Sequence, residues 1–479
     1  MTKRLGIAAL IVYYLALATA ANQRHLWHDE LYTFYIARAP SLSDLWRDLR
    51  LDLNPPLGYF LARVAMQLFG NTAFAVRLPS MIGFLTGSLC LYALVSRRLR
   101  PSYGLLAVLI FWSTPALYFA TEARPYGLIL GFFGLAMLSW QRARESPRPA
   151  WAVPILAFGV CGMMLSHFFA IFFLTPFLLA ELIRLIRSRH PDWPITAALF
   201  LPAILPLFFL PIQSGAAFPP AFQAGLRKMA SYYYWTLHPE GWVILLGFCV
   251  ALALRKTGAK SAARAGGLPH AELAFVVGLL ALPITVNAAM MSTHGAFFTR
   301  YAAPALFAYP LVLVFLLSAV TGSNRFSALA MCGLLALYIP IQNLAKPRPA
   351  SLNIAQIHPE LPLVAASGLT FLEMDHYEPP ETVGRLYYLT DREHALQYAH
   401  ATLFEGPAIK QHFPIRARVE PFVDFVQAHP RFLVLGTPDY PEDWLLRYLL
   451  AIHARLEFLG EFPSEYKDSQ LFVAEMLAR

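Results

Sequence analysis

Charge is scarce in this chain. Only 14% of its 479 residues are Asp, Glu, Lys or Arg, against about a quarter in soluble domains. Hydrophobic residues make up 57% and the mean hydropathy is +0.49, which excludes an ordinary soluble globular protein. Cysteine is also sparse. Cys90, Cys161, Cys249 and Cys332 all fall inside apolar stretches with no C-x-x-C spacing, so neither a disulfide framework nor a cysteine metal cluster is expected. They read as small core residues. There is no internal repeat and no low-complexity tract. Acidic residues are outnumbered, giving a net charge of +9, but the bases fall at alternate ends of apolar runs. That is a topological signature and does not indicate nucleic-acid binding.

What is abundant is apolar sequence long enough to cross a bilayer, which takes about 20 residues. Eleven such runs are read, near 5–22, 78–96, 104–121, 125–141, 150–165, 167–186, 193–212, 241–255, 271–291, 301–320 and 325–344. The long run from Ala150 to Ile186 is divided at Ser166-His167, because a single helix of that length would overshoot the membrane. Clusters at Lys3/Arg4, Arg97/Arg98/Arg100, Arg142/Arg144/Arg148, Arg184/Arg187/Arg189 and Arg255/Lys256/Lys260/Arg264 mark the cytoplasmic ends. The first run ends on Ala18-Thr19-Ala20, which resembles a signal peptidase site, and it is expected to persist as an anchor.

These features predict an α-helical polytopic membrane protein with about 11 transmembrane helices over residues 1–345, followed by a soluble extracytoplasmic α/β domain over 346–479. Between the first two spans, residues 23–77 form an outer loop whose apolar positions (Leu31, Phe34, Tyr35, then Leu42, Leu45, Trp46, Leu49) recur at helical spacing. Two short interfacial helices are expected there. After Asn54-Pro55-Pro56 a further amphipathic helix should run from Leu57 to Phe69. A second outer loop, 213–240, carries the aromatic run Tyr232-Tyr233-Tyr234-Trp235 and is expected to be partly irregular; its aromatics could stack on a sugar or form an interfacial belt. In the tail, strand-like runs at 363–366, 386–389 and 432–435 alternate with helical patterns at 421–428 and 442–454. The tail has no glycine-rich phosphate loop, so it reads as a packing or acceptor-docking module.

Ionisable residues collect at the expected outer ends: Asp29, Glu30, Arg77, Glu122, Arg124, His167, His238, His294 and Arg300. Such groups at a membrane edge point to a site or a pathway. Asp29-Glu30 could be a helix start, since acidic residues suit a first turn, or one carboxylate could accept a proton from a hydroxyl. Adjacent helical side chains point about 100° apart, so one of the two should face the reaction, and Asp29 is chosen with Glu30 in support. Arg124, beside Glu122 and ahead of Pro125-Tyr126, could snorkel to headgroups, hold a phosphate or brace the first loop. Arg300-Tyr301 has the same two readings, and a guanidinium fork suits phosphate oxygens. His167 could be a satisfied helix-end residue, a phosphate contact or a metal ligand, although no spacing is diagnostic of a metal.

Taken in order, Asp29-Glu30, Asn54-Pro55-Pro56-Leu57-Gly58-Tyr59, Ala75-Val76-Arg77-Leu78-Pro79-Ser80, Glu122-Ala123-Arg124-Pro125-Tyr126, Ser166-His167-Phe168-Phe169 and Arg300-Tyr301-Ala302-Ala303-Pro304 resemble the membrane glycosyltransferases of the GT-C class. More narrowly, the chain resembles glycosyltransferase family 39/83, with bacterial relatives of protein O-mannosyltransferases, lipid A aminoarabinose transferases and rhizobial core-oligosaccharide transferases. The resemblance covers roughly residues 1–345. It implies transfer of a sugar from a polyprenyl-phosphate carrier to a glycan, lipid or protein acceptor at the extracytoplasmic face of the bacterial inner membrane. The family's first-loop acidic residue, the proposed base, maps onto Asp29. Some relatives carry a lysine facing the donor phosphate where this chain has Asn54. That role would then pass to Arg77, Arg124 or Arg300, or to a divalent metal ion. A polyprenyl-linked lipid or sugar flippase is the competing class, but a transport path usually needs charged or broken-helix positions near the midplane, and the span interiors here have few.

Overall fold

A computed structural model describes residues 3–21, 24–52, 54–213, 222–237, 241, 269–321, 324–344, 354–399, 413–438, 440, 443–462 and 469–476. The span expected at 241–255, its basic end and His238 lie outside the described residues, apart from residue 241. The chain divides into two units. One comprises Met1–Gln23, Leu53–Ile212 and Ala224–Lys346; the other comprises Arg24–Asp52, Gln213–Gln223 and Pro347–Arg479. The 23–77 loop is therefore shared out: residues 24–52 pack with the C-terminal residues and the remainder belongs with the spans.

The first unit is helical, as its apolar runs require when backbone groups must satisfy one another inside lipid. Four of its described helices have the length and composition to cross a membrane: Ala73–Arg98, Phe168–Ser188, His270–Ser292 and Thr299–Thr321. Shorter apolar helices include Gly6–Thr19, Pro101–Ser113, Ala152–Met164 and Arg325–Ile341. The expected division at Ser166-His167 is present, between a helix ending at Met164 and a 3-10 turn beginning at Phe168. The run expected at 104–121 is not continuous. Its helix Pro101–Ser113 stops before Thr114-Pro115 and a short helix, Ala116–Ala120, follows, because a proline disfavours helical geometry at the residue before it.

Helices Ala73–Arg98 and Pro125–Ala143 lie in backbone contact along a glycine seam. A Cβ on Gly83 would sit 2.5 Å from the Leu128 Cα, one on Gly87 2.5 Å from the Leu130 carbonyl oxygen, and one on Gly131 2.4 Å from the Gly83 carbonyl oxygen. Gly83/Gly87 and Gly127/Gly131 are each four residues apart, the small-residue spacing that lets membrane helices approach closely. At one end of this pair, Arg97 meets Glu145 and Arg98 meets Glu272 at the start of helix His270–Ser292. The basic clusters at 97–98 and 142–145 thus share an end, opposite the end that bears Arg77 and Arg124. The aromatic run of the loop expected to be partly irregular lies on a helix, Leu226–Leu237. Two of its tyrosines are tied inward, Tyr232 to the Ala302 carbonyl and Tyr233 to the Leu280 carbonyl, while Tyr234 and Trp235 are exposed.

The second unit contains a six-stranded sheet: β1 (Leu363–Ala365), β2 (Leu386–Thr390), β3 (Arg418–Pro421), β4 (Arg431–Gly436), β5 (Arg455–Phe462) and β6 (Ser469–Glu475). The strand order is β3-β2-β1-β4-β6-β5. β3, β2, β1 and β4 are parallel, and β6 pairs antiparallel with both β4 and β5. The three strand-like runs read from sequence are β1, β2 and β4. Parallel strands covered on both faces read as continuous apolar runs. Val364, Leu389 and Val434 face one core with Phe425 and Trp444, whereas Leu363, Leu386 and Leu433 face another with Phe371 and Met374.

The helices expected in the first loop are present at His28–Ala37 and Leu42–Asp48, with Leu57–Phe69 after the proline pair. Helix His28–Ala37 is buried over nearly its whole length. It packs within the second unit: the Tyr35 hydroxyl lies 2.8 Å from His376 Nδ1, and the Tyr32 and Tyr35 rings lie 5.3 and 5.0 Å from Phe413. A surface helix resting only on a membrane would leave one face unburied.

Candidate active site

Two clusters of ionisable side chains stand out, one in each unit. In the second unit, helix His28–Ala37 begins with its two carboxylates in different situations. Glu30 is fully buried, and its Oε2 reaches back 3.3 Å to accept the Trp27 N–H, with Arg24 4.0 Å from its other oxygen. This is the acidic half of a capping box, which satisfies a backbone donor left over at the helix start. The Asp29 side chain keeps 19% of its surface open, and His28 Nε2 is 3.3 Å from its Oδ1. The other ring nitrogen of His28, Nδ1, is 3.4 Å from Glu373 Oε1, which also accepts the His28 N–H at 3.0 Å. Burial alone would lower the affinity of the His28 imidazole for its proton, but Asp29 and Glu373 outweigh it and raise the pKa to about 9. At neutral pH His28 is a cation, and Asp29 is a partly exposed carboxylate held beside it.

In the first unit the cluster forms where the glycine seam reaches its Arg77/Arg124 end. Gly127 offers no side chain, so Ser80 comes close enough for its hydroxyl to donate to the Arg124 carbonyl at 2.5 Å. Arg77, one turn before Ser80 and on the same helix face, is buried, as are Glu122, Arg124, Tyr126 and His167. The His167 ring stands 5.6 Å from both Tyr126 and Tyr301, and the Arg300 guanidinium lies 5.9 Å from the Tyr126 ring centre and 4.7 Å from that of Phe298. Phe169 stacks on Tyr301 at 4.3 Å. Arg124 and Arg300 both act electrostatically on His167. Asn54 is buried, and three residues on the Leu57 N–H donates to the Leu165 carbonyl at 3.0 Å, two residues before His167.

Guanidinium groups interleaved with aromatic rings in a buried setting are suited to an anion with an apolar attachment. His167 Nδ1 accepts the Phe169 N–H at 3.1 Å, which leaves Nε2 as the donor nitrogen of the neutral ring. Among the described residues no group of three or more His, Cys, Asp or Glu could hold a metal ion. The first unit thus contains Asn54, Arg77, Glu122, Arg124, Tyr126, His167, Arg300 and Tyr301, while Asp29 and Glu30 belong to the second. His294, also counted with the outer group from sequence, is exposed in a left-handed turn.

Fold and site together define a polytopic helical membrane protein with an appended α/β unit and buried charges at one end of its helices. A family model described as dolichyl-phosphate-mannose-protein mannosyltransferase matches residues 53–209. The undecaprenyl phosphate-alpha-4-amino-4-deoxy-L-arabinose arabinosyl transferase of Shewanella sediminis is 29% identical over 134 residues, 26% of this chain and 24% of that protein, so the match spans about a quarter of the relative's length. ArnT from Cupriavidus metallidurans shares the fold along nearly the whole of both chains. Its apo structure superposes with a TM-score of 0.53 at 13% identity, covering 98% of this chain and 97% of that one. Its structure bound to undecaprenyl phosphate gives 0.55 at 12%, with the same coverage. The family-model match over residues 53–209 and the shared fold support the resemblance to the GT-C class of membrane glycosyltransferases.

Sequence reasoning did not single out Glu373, Ser80 or Phe298. Ser80 lies within a stretch already noted, but neither it nor Phe298 carries charge. Glu373 lies 345 residues from His28 in a helix with no motif, and no local pattern marks it.

Proposed function

We propose that the protein transfers a sugar from a polyprenyl-phosphate carrier to an acceptor hydroxyl at the extracytoplasmic face of a bacterial inner membrane, with inversion at the anomeric carbon. The observation that carries this reading is the division of labour between adjacent carboxylates. Glu30 is committed to the helix start, whereas Asp29 is partly open and paired with a cationic His28. Group transfer to a hydroxyl needs a proton acceptor; carrying a lipid across the membrane does not. The ArnT structure bound to undecaprenyl phosphate and the curated relative's name lend the carrier class further support.

In this reaction Asp29 accepts the proton of the acceptor hydroxyl as that oxygen attacks the anomeric carbon, and the bond from that carbon to the phosphate oxygen breaks with its electron pair leaving on the polyprenyl phosphate. General-base assistance of this kind contributes about 10²- to 10⁴-fold. The developing phosphate charge falls to Arg77, Arg124 and Arg300, whose forked donors match phosphate oxygens and gain strength away from water. Tyr126, Tyr301 and Phe169 offer ring faces for the sugar or the first isoprene unit. The acceptor is a hydroxyl of a lipopolysaccharide, glycolipid, polysaccharide or protein.

The test supplies membranes containing the protein with a panel of radiolabelled polyprenyl-phosphate pentoses and hexoses and with extracted envelope material as acceptor. Label passing to the acceptor identifies the donor, and the anomeric configuration of the product checks inversion. Carrier movement across liposomes without sugar transfer for any donor would instead place the protein with the flippases.

A further inference from the structure

We propose that Glu373, in the C-terminal α/β unit, is a positioning residue for the Asp29 carboxylate and acts through His28. This rests on Asp29 being the base.

Glu373 lies on helix Gly368–Tyr377. The inner face of that helix, with Phe371 and Met374, is buried against the sheet core that includes Leu363 and Leu386, so its backbone is fixed independently of the first loop. Glu373, His376 and Tyr377 are spaced three and four residues apart and share a helix face. Each contacts the segment that carries Asp29. The Leu26 N–H donates to the Tyr377 hydroxyl at 2.6 Å, the His28 N–H to Glu373 at 3.0 Å, and the Tyr35 hydroxyl meets His376 Nδ1 at 2.8 Å. The segment is thus held on both sides of Asp29 by one rigid face.

Of the three contacts, the one at Glu373 touches the chemistry. Its carboxylate takes the backbone N–H of His28 and faces the ring at Nδ1, while Asp29 faces the ring at Nε2. A ring with a carboxylate at each nitrogen must donate from both, which needs imidazolium. Glu373 therefore fixes the orientation of the ring and its charge together, and the ring fixes the Asp29 oxygen that faces it. Among the described neighbours, Arg24 lies near Glu30 at the helix start, and the Trp27 ring edges against His28. Without Glu373 the imidazole would have one carboxylate partner and two tautomers available to it, and the Asp29 carboxylate would lose a fixed neighbour. A base displaced by about 1 Å can cost a hundredfold in rate. The α/β unit would on this account take part in catalysis, beyond any role in docking an acceptor.

The experiment measures kcat and KM for the donor in full-length protein carrying Glu373→Gln, His28→Gln, both together, Asp29→Asn, or Tyr35→Phe. Each value is normalised to folded protein recovered in detergent. Glu373→Gln should lower kcat about 10- to 100-fold with KM for the donor unchanged. The double variant should lose little more than either single one, since both cut the same bridge. Tyr35→Phe removes an anchor of the same segment away from the bridge and should lower kcat less than Glu373→Gln does. Wild-type kcat in Glu373→Gln while Asp29→Asn is inactive would overturn the positioning role and leave the base reading standing. Full activity in Asp29→Asn would overturn both. If Glu373→Gln fails to accumulate as folded protein, His28→Gln decides: a fall in kcat at constant KM supports the bridge, and an unchanged kcat overturns it.

Discussion

Ser80 donates its hydroxyl to the carbonyl of Arg124 across 2.5 Å, joining two helices at the point where the basic cluster begins. The bond is made inside a buried contact that only glycine at 127 permits, so it sets where the Arg124 backbone, and with it the Glu122–Tyr126 turn, can sit. Ser80→Ala leaves that carbonyl without its side-chain donor, a loss of about 1–3 kcal/mol in a buried setting. The expected result is a lower Tm in detergent together with a several-fold rise in KM for the donor. A shift in Tm alone would show that the turn does not govern binding.

The glycine seam gives a sharper stability prediction. A Cβ at Gly131 would fall within 2.6 Å of the Gly83 Cα, whereas one at Gly333 would meet nothing within 4 Å. Overpacking of this kind costs roughly 1–3 kcal/mol or more. Gly131→Ala should therefore reduce the yield and Tm of the folded protein, while Gly333→Ala should leave both unchanged. Thermal unfolding in detergent separates the two.

Arg124 and Arg300 are expected to serve as forked phosphate donors. A Lys at either position keeps the charge and loses the fork. Arg300→Lys and Arg124→Lys should each lower kcat/KM by about tenfold or more, and Arg→Ala by more than Arg→Lys. Equal values for Lys and Arg would mean that charge alone is used.

His28 provides a pH test. Its folded pKa of about 9 stands above the ordinary 6.5, so the folded state binds this proton more tightly than the unfolded one. The resulting stabilisation is complete below about pH 6.5 and is lost as pH rises through 9. Tm should fall across that window, and His28→Gln should flatten that part of the profile. Asp443 works in the same sense at lower pH: burial raises its pKa from 3.8 to about 7, against the opposing N–H bonds from Leu446 and Thr437. Its contribution is complete below about pH 3.8 and is lost on rising through 7, and Asp443→Asn should remove that slope.

Much of the helical part was legible because transmembrane helices must be long and apolar, and the break at Ser166-His167 followed from bilayer thickness. Pro115 lies within an apolar run, and its effect on Thr114 is local and legible in the sequence. In the α/β unit the buried strands β1, β2 and β4 showed as apolar runs. β5 and β6 did not, because one face of β5 is open and charged residues at Arg455, Glu457 and Glu461 interrupt the pattern. The packing of residues 24–52 against the C-terminal unit depends on contacts more than 300 residues apart, which no window-based pattern contains. The amphipathic spacing of Leu31, Phe34 and Tyr35 revealed a face to be buried; it did not reveal what covers it. Likewise, the pairing of Asp29 with Glu30 is visible in the sequence, but the capping role that separates them depends on how the helix start folds.

The most direct test compares Asp29→Asn with Glu30→Gln in sugar transfer from the polyprenyl-phosphate donor identified for the wild type, with donor binding measured alongside. Asp29→Asn should bind donor normally and lose transfer by about 10²-fold or more, whereas Glu30→Gln should lower Tm and keep most of kcat per folded molecule. Transfer by Asp29→Asn at the wild-type rate would contradict the assignment of Asp29 as the base.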